Sequence, residues 1–100
     1  MLAGEAAADA FLEHEMTVLR SRIRAHDLEP ENWRSATGIV TSNTFLTADE
    51  AARVRDEIMA IVERYRHRLT DPERRPEGSR EVRLFTALTA APEKRAGRNR

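Results

Sequence analysis

Hydrophobic and polar positions along the chain sort into two helical stripes and one run of alternation. The sharper stripe lies between Thr47 and Leu69, where Ala51, Val54, Ile58, Ile61, Val62, Tyr65 and Leu69 recur at steps of three and four. That period draws one apolar face along a helix. The opposite face carries Arg53, Asp56, Glu57, Glu63, Arg64 and Arg66. Thr47, with Glu50 three residues later, spells a capping box: the Thr hydroxyl accepts from the N–H near Glu50, and the Glu carboxylate accepts from the N–H of Thr47. Asp49 and Glu50 suit the positive end of the helix dipole, and Arg64, Arg66, His67 and Arg68 suit the negative end. Asp71-Pro72 stops the helix.

The earlier stripe predicts a first helix over residues 5 to about 27, rich in alanine at its start. Leu12, Met16, Leu19 and Ile23 form its centre, and Phe11, Val18 and Ala25 widen it at sevenfold spacing. A face this broad suits two neighbours, the chain's own sheet on one side and a partner helix on the other. Glu13 and Glu15 precede Arg20, Arg22 and Arg24, again in the sense the dipole favours. Pro30 marks the stop.

Between the helices, Trp33 to Leu46 is rich in β-forming residues, among them Thr37, Ile39, Val40, Thr41, Thr44 and Phe45. Two short strands are expected, roughly 33–40 and 43–46, with Thr41-Ser42-Asn43 as a turn; a single bent strand is the alternative. Residues 70–80, with two prolines and a glycine, read as a solvated loop. Alternation then returns over 81–88, with Val82, Leu84 and Leu88 on one face and Arg83, Phe85 and Ala87 on the other. Pro92 ends that strand. The order α-β-β-α-β predicts an α+β fold: two helices packed on a small two- to three-stranded sheet. It would form a single domain over residues 1–92, followed by a disordered basic tail at 93–100.

Composition makes the expected core thin. Forty per cent of the 100 residues are hydrophobic, but 15 residues are alanine and only 5% of the chain is aromatic. A small domain with few large apolar side chains is marginal alone. Part of its surface is therefore expected to be covered by a partner, most simply a second copy. Leu12, Met16, Leu19 and Ile23 are the expected dimer contacts. Formal net charge is zero, which argues against a general polyanion binder. The absence of cysteine excludes disulfides, thiolate metal sites and cysteine nucleophiles, and fits a reducing cytoplasm. No apolar run approaches the ~18 residues of a membrane span, so no membrane association is expected. The first residues lack the features of a signal peptide.

Several segments together carry a family resemblance. They are the Phe45-Leu46-Thr47 approach to the second helix with Glu50 and Ala51 following, and then Arg75, Pro76, Gly78, Arg80, Val82, Arg83 and Pro92. Over roughly residues 8–92 this resembles the C-terminal region of actinobacterial winged helix-turn-helix regulators of the ArsR-like group. Such regulators carry an N-terminal DNA-reading domain of some 80 or more residues that these 100 do not contain. They also place an aromatic residue before the last proline, where this chain has Ala90-Ala91. The resemblance implies a dimerisation and effector module of a bacterial transcriptional regulator, touching DNA only through the absent winged helix. The alternative is a stand-alone interaction protein, an anti-regulator that pairs through its first helix with a full-length paralogue.

Chemistry proper finds little purchase. His14 and His26 are metal-ligand types, but twelve residues along a helix separate them by roughly 18 Å. No metal or other cofactor is therefore expected. The carboxylate pairs Glu13/Glu15 and Asp49/Glu50 have helix-charge explanations. No nucleophile elbow, phosphate loop or dinucleotide pattern is present, so the chain is not expected to be an enzyme. Four positive residues in the tail would add only salt-sensitive attraction to phosphates. Trp33, Phe45, Tyr65 and Phe85 are candidates to line a pocket for a small apolar ligand, with the Tyr65 hydroxyl as polar handle. The plain alternative is that these aromatics form the core.

Overall fold

The computed structural model describes residues 3–93, of which 60% are helical, with no strand among them. Four α-helices follow one another: α1 (Ala3–Ala25), α2 (Glu31–Ala36), α3 (Ala48–Glu63) and α4 (His67–Thr70). A 3-10 turn extends α1 over His26–Leu28, and another follows α4 over Pro72–Arg74. The chain divides into two compact units between Asn43 and Thr44. The expected basic tail lies, from residue 94 onward, outside the described residues.

The α+β expectation is overturned, and the reasons are local. Trp33 does not open a strand; it lies inside α2. Pro30 stands at the N-cap of that helix, where a missing N–H costs nothing, so it ends one helix and starts the next. Glu31 in the first turn pairs with Arg34 one turn on. The Ser35 and Thr37 hydroxyls donate back to the carbonyls of Glu31 and Trp33, both at 2.6 Å. Beyond α2, Gly38 adopts φ +151°, which L side chains rarely adopt and which interrupts an extended run there. Residues 81–88 alternate as a strand should, but a strand draws its hydrogen bonds from a neighbour, and no other described segment is a strand.

In the first unit, the imidazole of His26 ties the end of α1 to the end of α2. Its Nε2 lies 3.1 Å from the carbonyl of Arg34 and 3.3 Å from that of Thr37. Both partners are acceptors, so Nε2 carries the proton. Arg34 also donates from Nη1 to the Glu29 carbonyl at 3.2 Å.

In the second unit the capping box forms as expected: the Glu50 N–H donates to Thr47 Oγ1 at 3.1 Å, and the Thr47 N–H to Glu50 Oε1 at 2.9 Å. The helix anticipated to reach Leu69 breaks at residues 64–66 and resumes as α4. Across the break the backbone bonds tighten to three-residue spacing, Tyr65 to Val62, Arg66 to Glu63 and Arg68 to Tyr65. In that tighter winding residues three apart eclipse, which suits the 2.6 Å pair of Arg66 with Glu63. It also follows a run of like charges, Arg64 and Arg68 being four apart. Arg75 then returns to clamp the end of α4, donating to the carbonyls of Arg68 at 2.7 Å and Leu69 at 3.0 Å.

These bonds are short in sequence and exposed to solvent. Among the described residues no apolar side chain is buried; the one buried residue is Glu15, 4% exposed. Hydrophobic burial is the main favourable term in folding. This chain has left most of it undone.

Candidate functional site

The incompletely covered apolar surface of α1 is the candidate site. On α1, Leu12, Met16, Leu19 and Ile23 share one face by their 4-3-4 spacing. Met16 and Leu19 are half-buried, while Leu12 is 48% and Ile23 39% exposed. Phe11 is exposed on the flank. Alanines at the start and arginines at the end make the helix itself stable, so the stripe is presented on a rigid support. The structure thus keeps the four expected contact residues on one face.

Charge on α1 is ordered along the axis. Beside the apolar stripe, at one flank, run Asp9, Glu13, Arg20 and Arg24, acids toward the N-terminus and bases toward the C-terminus. All four are exposed and, among the described residues, none has an ion-pair partner. The Thr17 hydroxyl between them donates to the Glu13 carbonyl at 3.0 Å and is satisfied within the helix. Thr17, Arg20, Ser21, Arg24, Ala25 and Leu28 border a shallow open groove of about 540 Å³. None of the four aromatic residues suggested for ligand binding lines it.

Those aromatics are dispersed. Trp33 is half-buried in the first unit. In the second, Phe45 is 99% exposed, Phe85 is half-buried, and Tyr65 is exposed with the Arg68 guanidinium 5.0 Å above its ring. That cation–π contact and the buried Arg68 Nε, which lacks a hydrogen-bond partner, belong to the α3–α4 break. On α3, Ala51, Val54, Ile58 and Val62 are half-buried and Ile61 is exposed; Tyr65 in the break and Leu69 on α4 are exposed as well.

Comparison with known proteins finds no matching family, curated protein or solved structure. The site must therefore be read from its own chemistry. No three histidine, aspartate or glutamate side chains gather among the described residues as a metal ion would need. No described helix is long and apolar enough to cross a membrane. The feature the described residues do present is an apolar helix face with ordered charge at its edge.

Sequence reasoning missed the burial of Glu15. Its position between Phe11 and Val18 on the helix surface was the available signal, since both flank it on the widened apolar side. It also read the charges of α1 only along the dipole, and so missed that four of them line up on one flank.

Proposed function

We propose that this chain is an assembly module whose first helix pairs with a second copy of itself. The observation that carries the proposal is the incompletely covered α1 stripe, exposed at Leu12 and Ile23 and half-buried at Met16 and Leu19, with no buried apolar side chain among the described residues. Apolar area is worth about 25 cal/mol per Å² once removed from water, so exposed stripes of this regularity favour association. Following the family resemblance, the paired modules serve a bacterial transcriptional regulator in the cytoplasm, and DNA is read by a winged helix outside these 100 residues. The module itself performs no catalysis. Assembly sets the spacing of the DNA-reading parts, and any effector acts by favouring one pairing over another.

Light scattering tests this directly. The wild-type chain is expected to be dimeric at micromolar concentration, and Leu19→Asp, which places a charge in the middle of the stripe, is expected to dissociate it. A monodisperse wild-type monomer at those concentrations would sink the proposal.

A further inference from the structure

The α1 stripe reads the same in both directions. Leu12, Met16, Leu19 and Ile23 are separated by four, three and four residues, so a reversed copy presents the same spacing. Laid antiparallel about a two-fold axis between Thr17 and Val18, Leu12 meets the partner's Ile23 and Met16 meets the partner's Leu19. The flank has its own reversal with opposite signs, centred one residue earlier, so that each charge pair is offset by roughly 3 Å along the helix axis, within reach of long side chains. Glu13 falls beside the partner's Arg20, and Asp9 beside the partner's Arg24. The two-fold axis doubles each pair, so four exposed, unpartnered charges per chain become four ion pairs per dimer.

A parallel pair lacks this match. Spaced as in a coiled coil, it sets Arg20 across from the partner's Glu15, which is buried in its own chain. Glu13 then faces only the partner's Ala8. The aligned helix dipoles add a small penalty that the antiparallel arrangement avoids. We infer that the occupant of the α1 face is a second copy of this chain running antiparallel, held in register by Glu13–Arg20 and Asp9–Arg24 pairs across the interface. This inference rests on the proposed self-association and adds its orientation, register and specificity. Like charges juxtaposed at a wrong register or against an unrelated basic helix disfavour those pairings.

The chain has no cysteine, so engineered thiols report orientation without background. Leu12→Cys and Ile23→Cys chains, mixed and oxidised, are expected to give a 12-to-23 crosslinked dimer, while Leu12→Cys alone gives little. Efficient crosslinking of Leu12→Cys alone would mean a parallel pair and overturn the inference. Charge exchange supplies the second arm. Glu13→Arg and Arg20→Glu chains, each alone, are expected to dimerise roughly tenfold more weakly at low salt, and to recover when mixed, because the heterodimer restores both pairs. Both variants are surface changes outside the stripe, and circular dichroism on each chain and on the mixture separates weakened pairing from lost helix. Failure of the mixture to recover would refute the register. If the wild-type chain is dimeric and these results fail, only the antiparallel pairing falls. If the wild-type chain is monomeric, the proposed self-association falls with it and another protein occupies the face.

Discussion

Truncating Leu12 to alanine gives the most quantitative test of the α1 surface. Leu12 is 48% exposed in the isolated chain, so about half of its side chain is still available for a partner to cover. Full burial of a leucine side chain is worth about 2 kcal/mol, which assigns about 1 kcal/mol to that uncovered half. The two-fold axis counts the loss twice, about 2 kcal/mol per dimer, or roughly a 30-fold rise in the dimer dissociation constant. Sedimentation equilibrium over a concentration series measures it. Val40→Ala is the matched control: Val40 is 92% exposed and lies outside α1, and its truncation is expected to stay within about 0.5 kcal/mol, as for an ordinary surface change. Circular dichroism on both variants checks that α1 remains helical. Equal effects at the two positions would mean that association, if present, does not use the α1 face, and the reasoning from periodicity to interface would fail.

Two further predictions concern the second unit. Thr47→Ala removes the acceptor for the Glu50 N–H and is expected to cost about 1 kcal/mol at the start of α3. Amide exchange at Glu50 should then quicken roughly fivefold, while Thr47→Ser preserves protection; unchanged exchange in Thr47→Ala would show that the box contributes nothing. Arg75→Ala deletes two donors to the carbonyls that end α4. At an exposed site their net contribution is about 1 kcal/mol together, so exchange at Leu69 and Asp71 should rise several-fold, with α3 unaffected. A uniform rise across α3 and α4 would instead mean that the two helices unfold as one.

The parts legible in the sequence are those fixed by neighbours a turn away. The Thr47–Glu50 box needs only two residues three apart, and it forms as read. The α1 stripe is equally local, and its four apolar residues do share a face. The sheet was not legible because a strand is not a local object. Residues 81–88 have the alternation, yet alternation describes which faces a strand would present and not whether a neighbour exists to accept its N–H groups. Trp33 illustrates the opposite error. Its β propensity and that of the threonines outweighed a start signal that was present: proline at the cap, Glu31 in the first turn and Arg34 placed to pair with it. The break at 64–66 was hidden because its apolar stripe continues through Tyr65 and Leu69. The Glu63–Arg66 pair and the run of bases act on the backbone winding and leave the stripe's period readable.

These corrections change what the exposed residues mean. Within a sheet-backed domain, the second face of α1 would be spare and the first would be core. Without the sheet, the neighbour expected to cover the other side of α1 is absent from the described residues, and Leu12, Met16, Leu19 and Ile23, the expected dimer contacts, stay the main apolar surface that α1 has to offer. The hydrogen bonds of the described residues, from the capping box to the Arg75 clamp, set local shape but contribute little net stability at exposed sites. On the proposed self-association, most of the missing hydrophobic term comes from the second copy. Assembly and folding are thereby coupled: each dimer that forms contributes the burial that the single chain lacks, and stability becomes a function of protein concentration. In such a molecule the pattern of charges beside the stripe carries as much information as the stripe itself. On the proposed pairing the apolar residues supply the attraction, and Asp9, Glu13, Arg20 and Arg24 decide which of the possible alignments receives it.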